Sequence, residues 1–169
     1  MRPIRGSRSL RKAARFVCYE VTMAGLAVGL IQKAKQCGDS AAHNAALESF
    51  LVHYRALRDF LHADKYPKRQ IRNDDIIAED FSPNDWGLKR PPWQECLSNE
   101  KEKIDRQLEH LSYSRSRYRQ WNWRVGDMWN VAFANVRAFL GGIPSRRRRW
   151  FVSDARNPYC ERVRQMLDF

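Results

Sequence analysis

An all-α fold, a bundle of four to five helices, is what this sequence predicts, and three observations predict it. Apolar residues recur at helical spacing over long stretches, most clearly at Leu47, Phe50, Leu51, Tyr54, Leu57 and Leu61. Glycine and proline punctuate the chain between those stretches, at Gly38, Pro67, Pro91-Pro92 and Gly141-Gly142-Ile143-Pro144. The composition is that of one folded domain: 169 residues with 43% hydrophobic and 12% aromatic content can bury a core despite 30% charged residues. Three segments are expected: a basic N-terminal arm over 1–15, a helical bundle over 16–143 and a basic C-terminal segment over 144–169.

The first fifteen residues are basic and free of acid, a pattern shared with organelle-targeting segments. The apolar run that follows, Phe16–Ile31, contains Glu20 and Thr22 and falls short of the roughly 20 apolar residues that a membrane span needs. No small-residue cleavage pattern follows it, so the expectation is a buried first helix over Leu10–Gln36 and no membrane span. Cys37-Gly38-Asp39-Ser40 should end that helix and start the next, glycine taking a left-handed cap and Asp39 or Ser40 receiving the following amides.

The second helix is expected over Ala41–His62, with Leu47, Phe50, Leu51, Tyr54, Leu57 and Leu61 on its core face. Arg58 projects about 20° from Leu47 on the wheel, so it is paired, borders a cleft or carries a snorkelling stem with a wet guanidinium. Arg55 and Asp59 are spaced to pair on the exposed side, and Glu48, Arg55 and His62 line a margin that solvates the helix. Residues 63–95 break the pattern and read as a long connection with a short helix near Asp75–Asp80. Phe81, Trp86 and Trp93 should anchor it over the bundle, and its acids Asp74, Asp75, Glu79, Asp80 and Asp85 could hold cations but are expected to cap structure.

The stretch Asn99–Arg117 carries the most chemistry. Read as a helix, Ile104, Leu108, Leu111 and Tyr118 form a core stripe, while Lys103, His110 and Arg117 recur every seven residues beside it, with Arg106 one turn before His110. Fixed positive charge disfavours protonation of an imidazole, leaving it able to accept a proton near neutral pH. Such a seam could hold a phosphate and move a proton; equally, its cations could solvate a surface helix while His110 caps the core edge. Arg119–Leu140 follows as a core helix through Val125, Met128, Trp129, Ala132, Phe133, Val136 and Leu140.

Charge is unevenly spread. Of a formal net charge of +12, residues 1–40 carry +6 and residues 144–169 carry +4, leaving the middle nearly neutral. Basic ends on a neutral body suit a polyanion, because each cation that neutralises a phosphate releases counterions. In the last segment Arg146, Arg147, Arg148 and Arg149 precede Trp150, a combination suited to phosphate contact and base stacking, and equally to an exposed helix start or a partner patch. Cys18, Cys37, Cys96 and Cys160 lack C-x-x-C spacing, and the four histidines lack metal-ligand spacing, so neither a metal, a cofactor nor a disulfide framework is expected. Reduced thiols in a cytoplasmic protein are the expectation. No phosphate loop, nucleophile elbow or internal repeat is present.

The segments AALESFLVHYRALRDFL (Ala45–Leu61), DDIIAEDFSPNDW (Asp74–Trp86) and KIDRQLEHLSYSR (Lys103–Arg115), in that order, resemble a family of uncharacterised bacterial all-α proteins. That family is similar to the HEPN superfamily of helical-bundle ribonucleases and nucleotide-binding domains; the resemblance covers Tyr19–Arg115. It implies a homodimer that cleaves RNA without a metal, in a toxin or antiphage-defence role. The implied motif is an arginine, a nearby polar residue and a histidine, matched by Lys103 in the arginine's place, Asp105 and His110, with Arg106 closer to the histidine. Lysine is a point charge without the guanidinium's bidentate fork. In that reading His110 transfers the proton and Lys103 and Arg106 hold the phosphorane charge. Arg58, Arg115, Arg117, the four C-terminal arginines and Trp150 would contact nucleic acid. The alternative expectation is a non-catalytic helical module that binds nucleic acid, a nucleotide or a protein partner.

Overall fold

The computed structural model describes residues 5–63, 71–82, 86–96, 99–109 and 122–167, and among them every regular element is helical. Helix α1 spans Ser7–Gln36 and α2 spans Ser40–Leu61. Their junction follows the local chemistry of the sequence. Gly38 takes φ +68°, the left-handed conformation that closes a helix, and the Asp39 N–H reaches back to the Ala34 carbonyl at 3.0 Å. The Asp39 carboxylate then accepts the Ala42 N–H at 2.9 Å and caps α2. So short a turn folds α2 back along α1 as a helical hairpin.

Within residues 1–15, expected as a basic arm, α1 already begins at Ser7, three residues before the Leu10 start expected for the first helix. Leu10 and Ala14 recur on one face and are buried in the main core, so apolar periodicity outweighs the basic composition around them. By length and composition α1 could cross a membrane, longer than the sixteen-residue run suggested; 44% of its most apolar window is buried within the fold.

In α2, Phe50, Leu51, Tyr54, Leu57 and Leu61 are fully buried, as their spacing predicts, and Leu47 is half-buried. His62, expected on a solvated margin, is wholly buried at the end of α2. Its Nε2 pairs with Asn135 Oδ1 at 3.0 Å, a partner supplied from far along the chain that helix periodicity does not reveal.

The connection after α2 contains a 3-10 turn, Ala78–Asp80, and a one-turn helix α3, Trp86–Lys89. Its aromatics are anchors. Phe81 packs edge-on against Phe151 at 5.2 Å between ring centroids, and Trp86 packs likewise against Phe139 at 5.4 Å. The Trp86 Nε1–H donates to the Leu61 carbonyl at 2.8 Å, satisfying an orphan carbonyl at the end of α2. The acids of this segment cap backbone or pair: Asp75 accepts from the Arg72 amide at 2.9 Å, Asp80 from the Ile77 amide at 3.3 Å, and Glu79 pairs with Arg90 at 3.6 Å.

Helix α4, Glu100–Glu109, buries Ile104 and half-buries Leu108 against α2. Helix α5, Val125–Gly142, presents Met128, Ala132, Val136, Phe139 and Leu140 to the core. Two further helices, α6 (Ser145–Val152) and α7 (Cys160–Leu167), raise the number beyond a four- or five-helix bundle. They are continuous with the main core, where Phe151, Val163 and Leu167 join Leu10, Ala14 and Val17 of α1. A segment read as a basic tail is therefore a packed layer.

Candidate nucleic-acid interface

The chain's two basic ends meet in space. Asp154, just after α6, receives Arg11 of α1 through both carboxylate oxygens, Nε to Oδ2 at 2.7 Å and Nη2 to Oδ1 at 2.6 Å. This fork-on-carboxylate pair holds the start of α1 against the C-terminal layer. The guanidinium of Arg11 keeps the Asp154 carboxyl well below the ordinary range, at about 2, although burial works against ionisation. Arg8 and Lys12 of α1 and Arg146 and Arg149 of α6 are exposed. The cations that sequence analysis found in two remote segments are thereby brought to packed neighbouring helices, a layout suited to the closely spaced phosphates of a nucleic acid.

The four arginines of α6 divide by function. Arg147 donates to the Phe81 carbonyl at 2.5 Å, and Arg148 donates to the carbonyls of Gly141 and Ile143 at 3.1 and 3.4 Å. These two fasten α6 to the connection and to the end of α5. Arg146 and Arg149 point outward. Trp150 is half-buried against the core, and its carbonyl accepts from Asn157 Nδ2 at 3.3 Å.

Helix geometry splits the proposed motif on α4. Lys103 is half-buried, and Arg106, about 60° from it on the wheel, is exposed and paired with Glu102. Asp105 falls about 160° from Lys103 and turns to α2, meeting Arg55 at 3.3 Å and Lys101 at 2.6 Å. On that side lies a groove of about 450 Å³ whose walls include Val52, Arg55, Asp59, Ile76 and Leu108. So α4 brings Lys103 and Arg106 together on one margin and commits Asp105 to the other. His110, Arg115 and Arg117 lie outside the described residues.

Arg58 faces inward. Its side chain is 3% exposed, with Nη2 2.9 Å from Glu95 and Nη1 3.8 Å from Glu100, so its charge is matched inside the fold. Around it runs a buried network that sequence reasoning missed. Tyr54 donates to Glu100 Oε1 at 2.6 Å, the Cys96 amide donates to Oε2 at 2.9 Å, and Trp93 Nε1–H donates to the Tyr54 hydroxyl at 3.1 Å. Burial, and then the Glu100 charge, push the Tyr54 hydroxyl far above the phenol range, so it serves as a fixed donor. The available signal was slight: an arginine close to the apolar face of α2 and an acid opening α4.

A second missed pair is His53 and Glu20, where Nδ1 lies 2.7 Å from Oε2 between α1 and α2, with Tyr19 edge-on to the imidazole. Among the described residues no group of three or more His, Cys, Asp or Glu is gathered as a metal site. Comparison of the chain with protein-family models, with characterised proteins and with solved structures finds no match.

Proposed function

We propose that this helical protein acts on RNA, binding it through the basic surface at the clasped ends of the chain. The observation that carries the reading is the meeting of the two most cationic segments across the Arg11–Asp154 pair, with Arg8 and Lys12 exposed on α1 and Arg146 and Arg149 exposed on α6. A polyanion neutralised there releases counterions, so binding must weaken steeply with salt. Retention of RNA that is independent of salt, or unaffected by charge reversal at Arg146 and Arg149, would reject this mode.

The sharper form of the reading is a HEPN-like, metal-independent endoribonuclease. Its support is that Lys103 and Arg106 share one margin of α4 shortly before His110, where they can hold phosphate charge while the imidazole moves a proton. Glu102 pairs with Arg106, and Asp105 is engaged by Lys101 and Arg55, so of the motif's described residues Lys103 and Arg106 are the ones turned to a phosphate. The test is cleavage of RNA by purified protein in EDTA. Cleavage abolished by His110→Ala, with the helical spectrum intact, supports the enzyme. Intact RNA with wild-type protein reduces the function to binding. The paired active sites of such an enzyme further require a homodimer, which sedimentation equilibrium reads directly.

A further inference from the structure

We propose that Cys18 and Cys160 form a peroxide-oxidisable dithiol, a modification site that closes into a disulfide between α1 and α7. The two sulfurs converge on the last turn of α6. Cys18 Sγ lies 3.5 Å from the Phe151 carbonyl oxygen, and Cys160 Sγ lies 3.5 Å from the Trp150 carbonyl oxygen. The two carbonyls belong to consecutive residues, which brings the sulfurs to one place on α6.

The surroundings assign different roles to the two. Cys160 Sγ also lies 3.3 Å from the Asp154 amide nitrogen, whose N–H it accepts, while burial and the Asp154 carboxylate oppose its ionisation. Donors aimed at sulfur favour the thiolate, and the Cys160 thiol is held below its ordinary range, chiefly by the hydrogen bond from Cys18. Cys18 is 1% exposed within the main apolar cluster and keeps its proton, its hydrogen bond to Cys160 and burial both pushing it upward. Cys160 is therefore the attacking sulfur and Cys18 the resolving one.

The chemistry balances with a hydroperoxide as oxidant. The Cys160 thiolate attacks one peroxide oxygen: an S–O bond forms, the O–O bond breaks, and the departing alkoxide or hydroxide takes up a proton. The Cys18 sulfur then attacks the resulting sulfenic acid. The S–S bond forms, the S–O bond breaks, and hydroxide leaves with the Cys18 proton as water. Two thiols lose two electrons and the peroxide gains them. Cys160 is 5% exposed, and access comes from local opening of α7, since an eight-residue helix is held by packing more than by its own hydrogen bonds.

Exposed Cys37 and half-buried Cys96 are internal controls. The native full-length protein is treated with limiting hydrogen peroxide, quenched by alkylation, digested and mapped by mass spectrometry. The expected product is a Cys18–Cys160 cross-linked peptide lighter by two hydrogens and restored by dithiothreitol. In Cys18→Ser the expected product is a dimedone-trapped sulfenic acid at Cys160. Recovery of Cys18 and Cys160 as free thiols after Cys37 is consumed overturns the proposal, as does a cross-link formed only in denatured protein. The wild-type map decides even where Cys18→Ser fails to fold.

Discussion

Tyr54 donates its hydroxyl to Glu100 at 2.6 Å, and the carboxylate that receives it is fully shielded from water. A buried carboxylate is tolerable only when matched, and here a phenol, the Cys96 amide and the Arg58 guanidinium surround it. The segment around residues 93–100 is thus tied to α2 by polar bonds as well as by apolar packing. Tyr54→Phe, which leaves Glu100 short of one donor and the Trp93 N–H short of an acceptor, should cost about 1–3 kcal/mol. Glu100→Ala, which strands the Tyr54 hydroxyl and weakens the neutralisation of Arg58, should cost about 3–5 kcal/mol. Urea denaturation should find the double variant less destabilised than the sum of the two.

The Arg11–Asp154 clasp predicts an acid-sensitive component of stability. Asp154 titrates at about 2 in the folded chain against 3.8 ordinarily, so its contribution is complete above the ordinary value and fades as pH falls from there to the folded value. Asp154→Asn should be less stable than wild type by a constant margin near neutrality. That margin should shrink below about pH 4 and vanish near the folded pKa. Thermal melts of both proteins across the acid range check it; a margin unchanged down to pH 2 would mean that the ion pair contributes nothing.

Within the arginine run, position decides consequence. Arg146→Glu and Arg149→Glu should weaken RNA retention and lower the salt slope by about 1 for each phosphate no longer neutralised, with the melting temperature nearly unchanged. Arg147→Ala and Arg148→Ala should act in the opposite sense, lowering stability by about 1–3 kcal/mol at Arg147, whose acceptor is the part-buried Phe81 carbonyl, and by about 0.5–1.5 kcal/mol at Arg148, whose Gly141 acceptor is open to water. Filter binding over a salt series, paired with calorimetric melts, separates the two classes.

This division shows what one-dimensional reading reaches. The faces of α2 and α5, the Gly38–Asp39 junction and the Phe81 and Trp86 anchors were legible because each depends on residues within a turn or two. Partnerships across the fold were not. Nothing in the run SRRRRW tells that Arg147 and Arg148 serve backbone carbonyls, or that Arg11 finds Asp154. His62 looks like a solvated residue until Asn135 is supplied by a distant segment, and a paired Arg58 could be expected without any sign that its partners would be Glu95 and Glu100. The C-terminal helices were read only as a basic segment for a related reason: dense positive charge masked the sparse apolar positions, Phe151, Val163 and Leu167, that carry their packing.

The close approach of α7 to α1 yields the last prediction. A β-carbon at Gly25 would stand 2.3 Å from Met166 Cε and 3.3 Å from the Trp129 ring. Met166 ends in a flexible thioether that can swing away, whereas the indole is rigid and can yield only a few tenths of an ångström. Replacing a mid-helix glycine by alanine gains about 1 kcal/mol of helix propensity. Gly25→Ala should therefore be close to neutral, relief in the backbone offsetting the crowding. Gly25→Leu cannot be absorbed in the same way and should cost about 1–3 kcal/mol, with α7 lifted from α1. Hydrogen exchange should then accelerate in Cys160–Leu167 before the rest of the fold, and Met166→Ala in the leucine background should restore part of the protection. Uniform acceleration across all helices would show that Gly25 serves the general core and not the seat of α7.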